Sequence, residues 1–187
     1  MKYIVRTCTG REEFAKYVQD KIPDVIVSLD TQKQAVKNIY NAMLLAGDDP
    51  CIHFEDDILI TDNFKEKALA VIKDRPDMLV QFFSMRKADL EIGSRIESGR
   101  TFLMSQCFYT PPKMSRGIKN FYLKWDRLTT THSHNAHGVD LLIQDYLKLT
   151  KQKYYIHVPS LVDHRICKSA IDPRRSTKRQ SLTYRQT

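Results

Sequence analysis

No stretch of the chain approaches the about 18 consecutive apolar residues that a membrane-crossing helix needs. The opening residues, Met1-Lys2-Tyr3-Ile4-Val5-Arg6, are interrupted by charge too soon to read as a signal peptide. Glycine and proline are sparse, 6 and 7 among 187 residues, which excludes collagen-like and low-complexity sequence. Cysteine is scarcer: Cys8, Cys51, Cys107 and Cys167 are far apart and form no CxxC pair. That pattern excludes a thiolate zinc site and a disulfide framework, and predicts a reduced, cytoplasmic protein. No P-loop, GxGxxG, GxSxG or HExxH pattern occurs, which argues against the NTPases, dehydrogenases and hydrolases that carry them. What is present, 42% hydrophobic and 28% charged residues, is the composition of one globular domain with room for a sizeable core.

Charge is unevenly placed. The net charge is +8, and residues 165–187 hold Arg165, Lys168, Arg174, Arg175, Lys178, Arg179 and Arg185 against the single acid Asp172. The expected organisation is therefore a nearly neutral domain over 1–164 and a basic C-terminal arm over 165–187. Such an arm points to a polyanionic partner, with a solubilising tail as the alternative.

Hydrophobic periodicity predicts an α/β fold. Strands are expected at Tyr3–Val5, Asp24–Leu29, Cys51–Phe54, Leu79–Phe83, Thr101–Tyr109 and Tyr154–Val158. Between them, Arg11–Asp20 reads as a helix burying Phe14, Tyr17 and Val18. In the next helix, capped by Asp30 or Thr31, Val36, Ile39, Tyr40, Met43 and Leu44 form an apolar stripe. Asp62–Lys73 buries Phe64, Ala68, Val71 and Ile72, Met114–Lys124 reads as helical, and Val139, Leu142, Ile143, Tyr146 and Leu147 repeat the stripe. The polar stretch Arg86–Arg100, with Gly93 and Gly99, reads as a surface excursion. The strict βαβαβαβ alternation of the first half predicts a Rossmann-like, mostly parallel sheet flanked by helices, with a mixed edge contributed by the second half.

Glu55-Asp56-Asp57, directly after the apolar strand Cys51–Phe54, is the most informative cluster. Ligands of open α/β sheets bind at the carboxyl ends of strands. Three adjacent carboxylates there repel one another unless a cation neutralises them, and hard oxygen ligands suit Mg²⁺ or Mn²⁺. The alternative is a set of acids at the start of the following helix. After the last expected strand, Val158-Pro159-Ser160-Leu161-Val162-Asp163-His164 carries a histidine that either returns to the same crevice as a metal ligand or is an ordinary core or surface residue.

The helix end Asn41–Gly47, the strand Cys51–Phe54 and Glu55-Asp56-Asp57 resemble the DxD region of nucleotide-sugar glycosyltransferases of the GT-A fold. Pro159–His164 resembles the strand end that carries their C-terminal metal-binding histidine. Val5–Phe14 is similar to the first strand and loop that hold the base and ribose. The size is that of compact phage or viral members. The resemblance implies that Asp57 and His164 bind Mn²⁺ or Mg²⁺ and that Asp56 contacts the metal or the ribose, with Glu55 a supporting acid. It also implies that Thr7, Arg11 and Asp30 surround the nucleotide, that Arg165 or Lys168 neutralises the diphosphate, and that Asp140 is the catalytic base with Asp145 second. For Asp140 the alternative is a plain first-turn helix acid.

The donor expected from this resemblance is a nucleotide-diphosphate sugar, UDP-sugar first, and the acceptor a hydroxymethylated pyrimidine in phage DNA reached through the basic arm. A glycan or lipopolysaccharide acceptor is the rival within the class. A metal-dependent nuclease using the same acids, and a non-catalytic DNA-binding module, are the rivals outside it. His132-Ser133-His134-Asn135-Ala136-His137 reads as a polar loop, with zinc binding or the acceptor pocket as its functional readings. Trp125, Tyr122 and Phe121 read as core, with a stacking surface as the alternative.

Overall fold

Tyr3, Ile4 and Val5 fall alternately into two separate apolar cores, so the first strand lies in a sheet covered on both faces. The computed structural model describes residues 1–125, 138–170 and 177–186. In chain order the elements are β1 (Lys2–Cys8), α1 (Glu12–Lys21), β2 (Val25–Asp30), α2 (Ala35–Ala46), β3 (Cys51–Glu55), β4 (Ile58–Ile60) and α3 (Phe64–Lys73). They continue with β5 (Leu79–Gln81), α4 (Asp89–Ile92), β6 (Arg95–Ser98), β7 (Cys107–Thr110), α5 (Met114–Tyr122), α6 (Gly138–Leu149), β8 (Lys153–Ile156) and β9 (Val162–His164).

The main sheet has seven strands in the order β2-β1-β3-β7-β5-β8-β6. β2, β1 and β3 are parallel, as are β5 and β8, whereas β7 runs against both β3 and β5, and β6 against β8. The fold is therefore α/β with a mixed sheet flanked by helices, compatible with a Rossmann-like arrangement. α1 and α3 cover one face through Ala15, Val18, Phe64, Ala68 and Ile72, and α2, α5 and α6 cover the other through Ile39, Met43, Ile118, Leu142 and Ile143. Among the described residues no helix is long and apolar enough to cross a membrane, and the four cysteines are free thiols.

Several expectations are corrected. The reversed strand in the second half is not confined to the edge: β7 sits in the middle of the sheet, fully buried, and a strand buried on both faces has the same apolar content whichever way it runs. It is also shorter than Thr101–Tyr109. The Gln81 amide binds the carbonyls of Leu103 and Met104, and Met104 turns the chain with φ 74° before pairing begins. Arg86–Arg100 is a sheet edge rather than an excursion, because Arg95–Ser98 pairs with β8. Gly99 then lets the chain press against α6, where a Cβ would lie 2.5 Å from Leu147 Cβ.

Asp30 and Thr31 do not cap α2, which starts after Gln34; Asp30 instead accepts the Gln32 N–H at 2.9 Å. Phe14 and Tyr17 are only half-buried. Arg11 stacks on Phe14 and Arg165 on both rings. Leu44 is 55% exposed. Trp125 is core, its indole donating to Asp145 at 3.1 Å, which removes it as a stacking surface. The segment His132–His137 lies outside the described residues.

His53 sits in the middle of β3, fully buried, stacked on Phe108 and 3.2 Å from the Thr110 hydroxyl. Burial first, and the nearby Arg6 second, push its pKa from 6.5 down to about 3. Between those values the unfolded chain binds a proton that the folded chain refuses, so this contribution costs nothing above pH 6.5 and erodes stability as pH falls. We predict a loss of about 2 kcal/mol by pH 5 from this residue. Urea unfolding of wild type and His53→Phe across pH 7 to 5 checks it; a variant with the same acid slope as wild type refutes it.

Candidate functional site

The strand order reverses at β1, with β2 on one side and β3 on the other. In such sheets the connections diverge to opposite faces and leave a crevice at the carboxyl ends. An open cleft of about 650 Å³ lies there. β1 and its loop supply Arg6, Thr7, Cys8 and Arg11; the end of β2 and the start of α2 supply Asp30, Lys33, Ala35 and Asn38; β3 and its turn supply Glu55, Asp56 and Asp57. Val139 of α6 and Ser169, Ala170 and Arg179 of the C-terminal segment complete it.

Asp56 and Asp57 occupy the turn between β3 and β4, not the start of a helix, since α3 begins only at Phe64, behind Asn63. Both are nearly buried, 5% and 6% exposed. One guanidinium nitrogen of Arg11 lies 3.2 Å from Asp56 Oδ1 and 3.0 Å from Asp57 Oδ2. The Thr7 hydroxyl donates to Asp56 Oδ2 at 2.6 Å. β4 pairs with β9, Ile58 opposite His164, and this register brings the fully buried imidazole against the acids. His164 Nε2 is 3.2 Å from Asp57 Oδ2 but off the hydrogen-bond axis, an ion-pair contact rather than a formed hydrogen bond, and Asp57 Oδ1 has no partner.

Titration follows these contacts. Burial lifts the Asp56 carboxyl to about 6, with Arg11 opposing and Asp57 adding to the rise. Burial also acts to raise Asp57, but His164 and Arg11 outweigh it and hold the carboxyl below its usual range. For His164, burial acts downward and Asp57 overcomes it, so the imidazole is pushed up. Burial raises Glu55, with Asp57 and Asp140 adding to it and Arg6 opposing.

A second group of charges frames the cleft floor. Arg6, buried in β1, donates to the Ser105 carbonyl at 2.7 Å and lies 3.6 Å from Glu55 Oε1. The Ser105 hydroxyl donates to Glu55 at 3.3 Å, and the Ser105 N–H donates to Asp140 Oδ1 at 2.9 Å. Ser105 therefore joins β1, β3 and the first turn of α6.

Of the residues singled out from the sequence, Thr7, Arg11, Asp30, Asp56, Asp57 and Glu55 line the cleft, and His164 stands behind Asp57. Asp140 joins the Glu55 group. Asp145 does not: it is held by Trp125. Arg165 does not line the cleft either, because its guanidinium lies over Phe14 and Tyr17 and its Nε donates to the Ile58 carbonyl. Lys168 is exposed and outside it. The sequence reading overlooked Arg6, Asn38, Lys33 and Arg179. Arg6 had a signal, a charged residue inside the apolar run Tyr3–Cys8. Asn38 had one too, an amide on the apolar stripe of α2, where it accepts from Ser28 at 2.6 Å and donates to the Thr7 carbonyl at 2.9 Å. Arg179 had none, since its place depends on the return of the chain.

The described part of residues 165–187 is packed on the domain. The Ser181 N–H donates to Asp163 at 2.6 Å, its hydroxyl to Ser160 at 2.8 Å, and the Ser160 N–H to Thr183 at 3.1 Å. Arg174 and Arg175 lie outside the described residues.

Among the described residues no three His, Cys, Asp or Glu side chains are grouped to hold a metal by themselves. The donors still fit a hard divalent cation: Asp57 Oδ1 is buried without a partner and His164 Nε2 is poorly committed. Mg²⁺-type sites take one or two carboxylates and complete their shell with water and substrate phosphate. Comparison of the sequence with protein-family models and with curated proteins gives no match.

Replacing Arg6 with Met is expected to strand the Ser105 carbonyl and uncompensate Glu55, at a cost of about 3 kcal/mol. Equilibrium urea unfolding measures this; a change below about 1 kcal/mol would show that the frame carries no such weight.

Proposed function

We propose that the chain is a metal-dependent glycosyltransferase of the GT-A type, moving a sugar from a nucleotide-diphosphate sugar to an acceptor hydroxyl. The observation that carries the reading is the convergence of Asp56 and Asp57 on the lining of a strand-end cleft, with buried His164 behind Asp57 and Thr7, Arg11 and Asp30 beside them. The mixed sheet is compatible with it.

In this reading Asp57 and His164 hold Mn²⁺ or Mg²⁺, with Asp56 beside them. Bound there, the cation neutralises charge growing on the departing diphosphate. Arg11 balances Asp56 and Asp57 and, with Arg179 of the C-terminal segment in the same lining, keeps positive charge near the phosphates. Asp30 and Lys33 stand where β2 ends, suited to the ribose and its polar edges. Transfer breaks the bond from the anomeric carbon to the diphosphate oxygen and forms one to the acceptor oxygen. The diphosphate leaves with the electron pair. The acceptor proton passes to a carboxylate, for which Asp140 is the candidate, oriented by the Ser105 N–H.

UDP-sugar is the proposed donor and a hydroxymethylated pyrimidine in DNA the proposed acceptor, engaged by the basic residues of the C-terminal arm. A glycan acceptor at an anionic membrane is the second reading, favoured by the lysine and leucine face of α2 and α5 described below.

A thermal-shift panel of UDP, GDP, CMP and ADP, each with and without Mn²⁺, tests the donor site. A nucleotide at 100 times its Kd is expected to stabilise the fold by about 2.7 kcal/mol. The stabilisation should require Mn²⁺ and vanish in Asp57→Ala. A shift with Mn²⁺ alone and none with any nucleotide would overturn the transferase reading in favour of a nuclease.

A further inference from the structure

The two helical layers differ in the acids that stand near their lysines. On the α1 and α3 side Lys16, Lys21 and Lys65 each face a carboxylate, Asp20, Asp62 and Asp24, at 2.9–3.2 Å. On the other side, the chain from 31 to 54 has only Asp48 and Asp49, and 106 to 125 has no acid. Those two aspartates are taken by Arg116 and Lys2. Lys37, Lys113 and Lys124, exposed, and Lys119, half-exposed, have no ion-pair partner among the described residues.

Apolar groups stand among these lysines. Leu44 and Leu123 are 55% and 63% exposed. They are joined by Tyr40 and Tyr122, whose rings stack across the α2–α5 seam at 4.7 Å between centroids. Lys37, Asn41 and Leu44 form the outward stripe of α2, and Arg116, Asn120 and Leu123 that of α5, each at helical spacing.

We infer that this face docks on an anionic lipid surface. The sign of the charge selects a polyanion, and its composition selects lipid over nucleic acid. Exposed leucines beside lysines gain by entering the headgroup boundary, where the lysines reach phosphate, whereas against a duplex the leucines would face polar backbone. Among the described residues of this face the one arginine, Arg116, the side chain best shaped for bidentate phosphate contact, is committed to Asp48. The face also adjoins the cleft, since Ala35 and Asn38 of α2 line it one or two residues from Lys37. A membrane-held acceptor would thus be presented at the cleft mouth. The docking surface goes beyond the donor chemistry and stands without it.

Co-sedimentation of the full chain with phosphatidylglycerol-containing vesicles, pure phosphatidylcholine vesicles and a 30-base-pair duplex tests this. Of the two kinds of vesicle, binding is expected to the anionic one only, and any duplex binding through the C-terminal arm is expected to be unchanged by variants of this face. Vesicle binding should fall at least about tenfold in Lys113→Glu/Lys119→Glu/Lys124→Glu, and also in Leu44→Ser/Leu123→Ser. All these side chains lie outside the cleft, and an unchanged far-UV circular dichroism spectrum and Tm report the integrity of the variants whether or not a nucleotide binds. Equal binding to neutral vesicles, or an unchanged charge-reversed variant, overturns the proposal. Duplex binding that the lysine variant loses and the leucine variant keeps overturns it too, and assigns the face to nucleic acid.

Discussion

Adjacent carboxylates at the end of a buried strand are the constraint around which the rest of the molecule is arranged. Glu55, Asp56 and Asp57 leave the sheet where little water reaches them, and each additional negative charge makes the others harder to keep. Compensation comes from distant parts of the chain: Arg6 and Arg11 from the first strand and its loop, His164 from the last short strand, Arg179 from the C-terminal segment. Thr7, Ser105 and Asn38 then fix where those charges stand. A site balanced this way by cations of its own chain is poised to exchange part of that balance for a divalent ion and a diphosphate, the exchange that the proposed transfer requires.

How much of this the sequence disclosed depends on the length of the signal. β1, β2, β3 and the helices α1, α2, α3 and α6 are long enough for periodicity, and they deliver Asp56 and Asp57 to the strand ends. β4 and β9, with three residues each, are too short for any period, yet their pairing is what brings His164 to Asp57. β6 reads Arg-Ile-Glu-Ser, the half-polar pattern of an edge strand that composition alone assigns to a loop. Arg165 follows His164 directly, but in an extended chain neighbouring side chains point to opposite sides, so it turns to Phe14 and Tyr17 while His164 turns inward.

The same limit applies to the surface. An apolar stripe on a helix marks the side that seeks cover, and Leu44 belongs to such a stripe by spacing. Whether the cover comes from the fold or from elsewhere is decided by how close the next helix packs. α5 meets α2 through Tyr40 and Tyr122, and this contact ends before Leu44 is enclosed. Unburied leucines then stand on α2 and beside α5 among lysines that have no ion-pair partner among the described residues.

The β4–β9 pairing has a consequence in time as well as in space. Ile58 and His164 are 106 positions apart, and Ser181 and Thr183 fasten the same corner from still further along the chain. Contacts of such separation form late, after the local βαβ units. During synthesis the parallel core of β1, β2 and β3 can assemble while the partner of Asp57 is still inside the ribosome. The acidic corner therefore passes through a stage held only by Arg6 and Arg11 of the first strand and its loop, and matures only when almost the whole chain has emerged.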